Sequence, residues 1–384
     1  MENNKKGGNL INKLLNEAPT PFFPPMLPVD YLKELTTNLD TMKLLNEANQ
    51  KFGEYRGYLI NLINPSLLIS PLIAQEAVLS SKLEGTHATL EDLLKYDADV
   101  PSDVNRDEMK EVANYRNALY YALDKMSTIS VNDSKLPLSG KIIKQMHMIL
   151  LNNVRGESKN PGQFKRQQNY IVSANGFVFT PVPANLTDKY ISNLEKYIHY
   201  DDFDVLLQTA IIHCQFEMIH PFEDGNGRIG RLLIPLFLYY REKLPLPTFY
   251  MSSYFNNNRS LYLESLNSVS STGNWNNWFK YFLNGVIYSS NESTIKAIAI
   301  NNLYEQMKNQ IVDVLNSAHS IQILDFIFEH PVFKAKQLID NNKLNIPSKT
   351  VYTLLNKLVE SGILIHDDQI RNRTFFFSKL IQIL

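Results

Sequence analysis

From Tyr31 to about residue 290, apolar residues recur at intervals of three and four, and one short β element interrupts the pattern. Helical period over that length leaves little room for a sheet, so the chain reads as mostly α. Helices are expected near 89–97, 106–126, 139–152, 186–199, 203–218, 226–243, 259–269 and 275–290, with Pro235 inside the sixth. Ser70 followed by Pro71 reads as an N-cap and first-turn proline, opening a helix through Glu84 that Gly85 ends. The exception is Tyr170-Ile-Val-Ser and Phe177-Val-Phe-Thr around Ala174-Asn175-Gly176, and Asn-Gly between apolar runs is a strong hairpin signal.

Ahead of the helices, residues 18–28 carry five prolines. Proline lacks the amide donor a helix needs, so this is an extended arm, expected to drape over a core. With 384 residues, 44% of them hydrophobic, the chain is large enough for two or three units. A net charge of −1 supplies no global field for nucleic acid or an anionic membrane. Cys214 is the only cysteine, which excludes an intramolecular disulfide and a multi-cysteine zinc site and agrees with a reducing cytoplasm. The polar N-terminus lacks the apolar centre of a signal peptide, and the longest strongly apolar run, residues 232–240, is too short to span a bilayer. The expectation is a cytoplasmic protein without a membrane partner.

Residues 220–231 read His-Pro-Phe-Glu-Asp-Gly-Asn-Gly-Arg-Ile-Gly-Arg and run into the helix expected from Asn226. Free amides at a helix N-terminus, reinforced by its dipole, form an anion site. Gly225 and Gly227 let backbone approach a phosphate, and Arg228 and Arg231, three residues apart, can bind phosphate oxygens from one side. Asp224 is placed to hold Mg²⁺ between phosphates, because that ion takes one or two carboxylates plus phosphate oxygens. His220 is the one group of the loop that exchanges a proton near neutral pH. Together these parts describe nucleotidyl or phosphoryl transfer. Residues 225–230 also satisfy G-x-G-x-x-G, but that dinucleotide fingerprint requires a preceding strand, and residues 204–218 have helical period.

The segment resembles the Fic signature, H-P-F-x-D-G-N-G-R-x-x-R, at all nine specified positions, and the likeness extends from Ser70 to Trp278. The resemblance implies a helical Fic domain with a β-hairpin flap that moves AMP from ATP onto a Tyr, Thr or Ser hydroxyl of a target protein. His220 would deprotonate the hydroxyl and Asp224 would bind Mg²⁺. Gly225, Asn226, Gly227, Arg228, Gly230 and Arg231 would hold the triphosphate. A sister branch that phosphorylates carries lysine where this chain has Gly227, which favours AMP transfer. The hairpin 170–180 would be the flap that docks a target by strand addition, with Thr180 near the nucleotide. Auto-modification and a homodimer are further partner expectations. Tyr262 fits a weaker aromatic position that contacts adenine or packs the core. His213 reads as a satisfied core histidine, and Trp275 and Trp278 as packing for the last Fic helix.

Ser80-Ser-Lys-Leu-Glu84-Gly85 is similar to the family's inhibitory motif, [S/T]-x-x-x-E-[G/N]. The resemblance implies that Glu84 pairs with Arg231 and blocks productive ATP binding, with Ser80 one turn behind it, and that Glu84 can also serve AMP removal. A carboxylate at a helix C-terminus does face the negative end of the dipole and calls for a cation.

After about residue 291 the expectation is a connecting helix (291–317) and then a compact unit (318–384). There, helices at 321–328, 334–341 and 348–361 precede strands at 363–366 and 374–377, the order of a winged helix. The remaining boundaries are 1–100 for the N-terminal arm and helices and 101–290 for the catalytic domain. The C-terminal unit has eight basic and six acidic side chains, mildly basic for a DNA reader. Lys349, Thr350, Thr353 and Lys357 would face a major groove and Arg371 and Arg373 a wing, or the unit would dock protein. A rival reading is therefore a DNA-binding regulator whose Fic domain senses nucleotide.

Overall fold

The computed structural model describes residues 20–62, 64–101, 103–127, 136–172, 178–341, 344, 346–369 and 372–384. These residues are mostly α-helical, in agreement with the periodicity. They divide into two compact units, each assembled from three separate stretches of sequence. Among the described residues no helix is long and apolar enough to cross a membrane.

The first unit comprises residues 1–48, 117–241 and 258–285. Its centre is the helix Val205–Ile219, in which nearly every side chain is buried. Asp204 starts that helix by accepting the amides of Leu206 (2.8 Å) and Leu207 (3.0 Å) on its carboxylate. Around it pack Thr187–Ile198 and Asn226–Tyr240, with Phe216, Phe222, Phe237 and Trp278 fully buried. Each such aromatic contributes roughly 1.5–3 kcal/mol relative to an exposed position. Trp278 fixes its indole by donating to the Ala210 carbonyl at 2.9 Å. The proline-rich arm lies extended on this unit, as expected. The Phe22 amide donates to the Thr180 carbonyl (2.9 Å), Asn193 bonds both backbone groups of Leu27, and Gln215 donates to the Pro25 carbonyl (3.0 Å).

The hairpin forms between Ile171–Val172 and Val178–Phe179, antiparallel, with Ile171 opposite Phe179. Its Asn175-Gly176 turn lies outside the described residues. Tyr170 and Val172 are exposed large side chains.

The second unit comprises residues 49–116, 242–257 and 286–384. Its helix Ile69–Leu83 carries a buried carboxylate, Glu76, that accepts from the hydroxyls of Tyr115 (3.0 Å) and Ser252 (2.6 Å). The start of this helix differs from the sequence expectation. A 3₁₀ turn at Pro65–Leu68 feeds straight into it, so Ser70 is inside the helix and donates its hydroxyl to the Glu329 carbonyl instead of capping. Thr89 and Asp92 form a capping box at the head of Leu90–Asp97.

A single helix, Trp275–Leu315, joins what the sequence divided into two. Then come Ser320–Glu329, strand Val332–Lys334, Ala335–Ile339, Ser348–Glu360, and strands Ile365–His366 and Thr374–Phe376. The strands make one antiparallel sheet with Thr374–Phe376 in the middle. Val332 and Phe376 pack with Leu94 and Ala98 in a small apolar cluster. Lys357 does not lie free on the exposed side of its helix: it donates to the Leu315 carbonyl at 3.1 Å, capping the C-terminus of the long helix where a cation is favoured. Arg371 lies outside the described residues.

Candidate active site

The loop 220–225 links two mutually packed helices of the first unit. His220 ends Val205–Ile219 in the left-handed region (φ 48°, ψ 62°), a conformation that costs a non-glycine residue about 1–3 kcal/mol unless its surroundings fix it. Gly225 begins Asn226–Tyr240 at φ 76°, and a β-carbon there would come within 3.2 Å of Leu150. Between them, Asn226 turns its side chain back onto Phe222. Its Oδ1 accepts the Phe222 amide and its Nδ2 donates to the Phe222 carbonyl, both at 2.8 Å. The asparagine of the motif thus shapes the loop.

The charged groups differ sharply in exposure. Asp224 is 38% exposed and its Oδ1 accepts the Gly225 amide at 2.6 Å, with Arg228 Nη2 3.8 Å away. Arg228 itself is 1% exposed and Arg231 is buried in the same helix. Of the two buried guanidinium groups, that of Arg228 lies directly behind the accessible carboxylate. His220 is partly exposed, and its Nδ1 lies 3.7 Å from Glu217 Oε2. At Gly230 a β-carbon would sit 2.2 Å from Glu217 Oε1, so a larger residue there would require the Glu217 side chain to shift. Gly227 is half-buried in the first turn.

Three residues that the motif does not contain complete the loop. His147 accepts the Gly162 amide on Nδ1 and donates from Nε2 to the Asp224 carbonyl, both at 2.9 Å, and its ring stacks on Phe222 at 3.7 Å. Burial pushes its pKa down to about 4, so it works here as a neutral spacer. Lys165 and Asn169 reach the loop from the segment before the hairpin, and burial pushes the Lys165 ammonium down to about 7.

His213 is the satisfied core histidine expected. Its Nδ1 donates to the Gly230 carbonyl (2.9 Å) and its Nε2 accepts from the Tyr262 hydroxyl (2.8 Å). Tyr262 is buried with Trp278 and Tyr281, which gives it a packing role. Thr180 is buried at the hairpin base, and its Oγ1 has no hydrogen-bond partner among the described residues. In the second unit, Ser80 is buried, Glu84 is exposed at the end of its helix, and Gly85 follows at φ 95°. No group of three His, Cys, Asp or Glu side chains among the described residues could hold a metal alone.

Two family models match the chain: Fic/DOC family N-terminal over residues 42–124, and Fic/DOC family over residues 137–238, which contains the loop. Residues 137–238 are a Fic/DOC domain, preceded at 42–124 by a Fic/DOC N-terminal region. Among its Fic relatives, "Probable protein adenylyltransferase aq_aa38" of Aquifex aeolicus is 38% identical over 60 residues, covering 15% of this chain and 19% of the relative. "Protein adenylyltransferase fic-1" of Caenorhabditis briggsae is 28% identical over 99 residues, covering 25% and 18%. The matched parts thus span about a fifth of the length of these curated relatives. In fold, the chain is similar to a Fic family protein from Desulfovibrio desulfuricans, with a TM-score of 0.59 at 16% identity over 94% of this chain and 98% of that one. A Fic domain containing signaling protein from Bacteroides thetaiotaomicron gives 0.55 at 20% identity, covering 67% and 97%.

Proposed function

We propose that this Fic protein is a protein adenylyltransferase that moves AMP from ATP to a Tyr, Thr or Ser hydroxyl of a target protein. The observation that carries the reading is the loop itself: an accessible carboxylate beside buried Arg228, a partly exposed histidine, and a second buried arginine in the same helix. His220 takes the proton of the target hydroxyl. The hydroxyl oxygen bonds to the α-phosphorus as the bond to the bridging oxygen of pyrophosphate breaks. Negative charge on the phosphates is met by the first-turn amides and by Arg228 and Arg231. The products are an AMP–protein phosphodiester and pyrophosphate, with the proton on His220.

Mg²⁺ fits the donors present. Asp224 offers a hard, exposed oxygen, and its Oδ2 has no hydrogen-bond partner among the described residues. Asp224 would hold the ion, which supplies charge neutralisation between phosphates when bound. Incubation with labelled ATP and Mg²⁺ tests the reading: covalent label on this protein or on an added target supports it, and none on either rejects it.

The pattern at residues 80–85 supports a brake, in which Glu84 takes Arg231 away from the γ-phosphate. The same carboxylate would orient water for removal of AMP. The exposed Tyr170 and Val172 suit a flap that pairs with an extended target segment. A second reading concerns residues 318–384, taken as a winged helix. Lys349, Tyr352 and Thr353 are exposed on the helix Ser348–Glu360, a face suited to a DNA groove. Band shifts of duplex DNA that weaken steeply with salt would support it.

A further inference from the structure

Four successive carbonyls of the catalytic loop are held from one short segment. Lys165 Nζ donates to the Ile219 carbonyl (3.1 Å) and the Lys165 amide to that of Pro221 (2.8 Å). Asn169 Nδ2 donates one hydrogen to the His220 carbonyl (3.0 Å) and the other to that of Phe222 (2.8 Å). Lys165 Nζ also donates to Asn169 Oδ1 at 2.8 Å, which fixes the amide orientation so that its NH₂ faces the loop. Lys165 is 3% exposed, so water does not compete for these bonds. The residue enclosed by this ladder is His220, in its left-handed conformation.

We infer that Lys165 and Asn169 are positioning residues for AMP transfer, and that their ladder to carbonyls 219–222 holds His220 at the angle from which it takes the target proton. Neither touches the reacting atoms. The inference rests on the proposed adenylyltransferase activity for its kinetic consequence, though not for its structural one. Helix Val205–Ile219 ends one residue earlier and Pro221 has no amide hydrogen, so the backbone at His220 has few internal bonds of its own. A loop fixed only at its ends would let the imidazole swing, and misplacement by about 1 Å can cost about a hundredfold in rate.

Asn169→Asp is the decisive variant in the full chain, because it keeps the shape and replaces two donated hydrogens with lone pairs facing carbonyls. Lys165→Met, which keeps an apolar stem, is the second should Asn169→Asp fail to fold. We expect kcat for AMP transfer to fall at least tenfold while KM for ATP stays within twofold. The imidazole NMR signals of His220, assigned by their absence in His220→Ala, should move. A folded variant with wild-type kcat and unmoved His220 signals overturns the inference. A loss of thermal stability with kcat unchanged also overturns it and leaves the pair a purely structural role. If the wild-type protein transfers no AMP, the proposed function fails by itself, and the His220 signals alone decide whether the ladder sets the histidine.

Discussion

His147 donates its Nε2 hydrogen to the backbone carbonyl of Asp224 at 2.9 Å, from 77 positions earlier in the chain. The bond pins the loop at the residue that carries the accessible carboxylate, while the opposite ring nitrogen takes the Gly162 amide. His147→Leu therefore leaves one buried donor and one acceptor unmet, each costing about 1–3 kcal/mol. Urea unfolding should show the transition that includes the first unit shifted down by an amount in that range. An unshifted midpoint would mean that the loop does not depend on this bond.

Replacing His220 by alanine should reduce AMP transfer by about 10²–10⁴-fold, the usual effect of a positioned base. ATP affinity, measured by calorimetry, should remain near wild type, because the proposed phosphate ligands belong to Asn226–Tyr240 and not to His220. Near-normal transfer by the variant would remove His220 from the mechanism.

The brake predicts that Glu84→Gly transfers AMP at least tenfold faster than wild type, equivalent to about 1.4 kcal/mol. Glu84→Gln, nearly isosteric and uncharged, should activate as well, through release of an arginine for a charge-assisted phosphate bond. Arg231→Ala should not activate, since it removes the phosphate ligand together with the brake. Labelled AMP incorporation under equal ATP and Mg²⁺ distinguishes these outcomes. A Glu84→Gly protein no faster than wild type would reduce Glu84 to an ordinary helix-end residue.

Stability should depend on pH through buried groups that include His147, which behaves as His213 does, His213 and Lys165. Burial lowers His213 from its ordinary 6.5 to about 4 and Lys165 from 10.5 to about 7. In each window the unfolded chain binds more protons than the folded one, so stability rises with pH. The His213 contribution is lost as pH falls from 6.5 toward 4. That of Lys165 grows as pH rises from 7 toward 10.5, with a slope of at most about 1.4 kcal/mol per pH unit. Denaturation midpoints across alkaline pH should be flatter for Lys165→Met than for wild type. Parallel curves would show that Lys165 titrates normally.

The signature was legible because its residues are contiguous: His220, Asp224, Arg228 and Arg231 fall within twelve positions of loop and helix start. The residues that hold this loop were not legible. Lys165 and Asn169 act on backbone carbonyls about fifty positions away, which leave no pattern in side-chain type or spacing. His147 looks like any histidine on an apolar helical face. In the fold, Trp275–Leu315 was divided in error, since residues 286–315 hold neither glycine nor proline to stop a helix. Strand Val332–Lys334 has three residues and depends on pairing with Thr374–Phe376, a contact that local propensity cannot register. Ser70 misled because a serine before a proline resembles a cap, whereas the 3₁₀ turn upstream had already begun the helix.

The division into units built from three stretches each has a consequence for synthesis. Residues 49–116 leave the ribosome long before residues 286–384, with which they form one unit. Glu76, in that early stretch, gains its Ser252 partner only after nearly two hundred more residues have been made. Until then the nascent helix Ile69–Leu83 presents an unfinished apolar face to solvent. Such a chain should need a chaperone early and complete its folding late, and its yield should depend on how fast it is translated more than on its final stability.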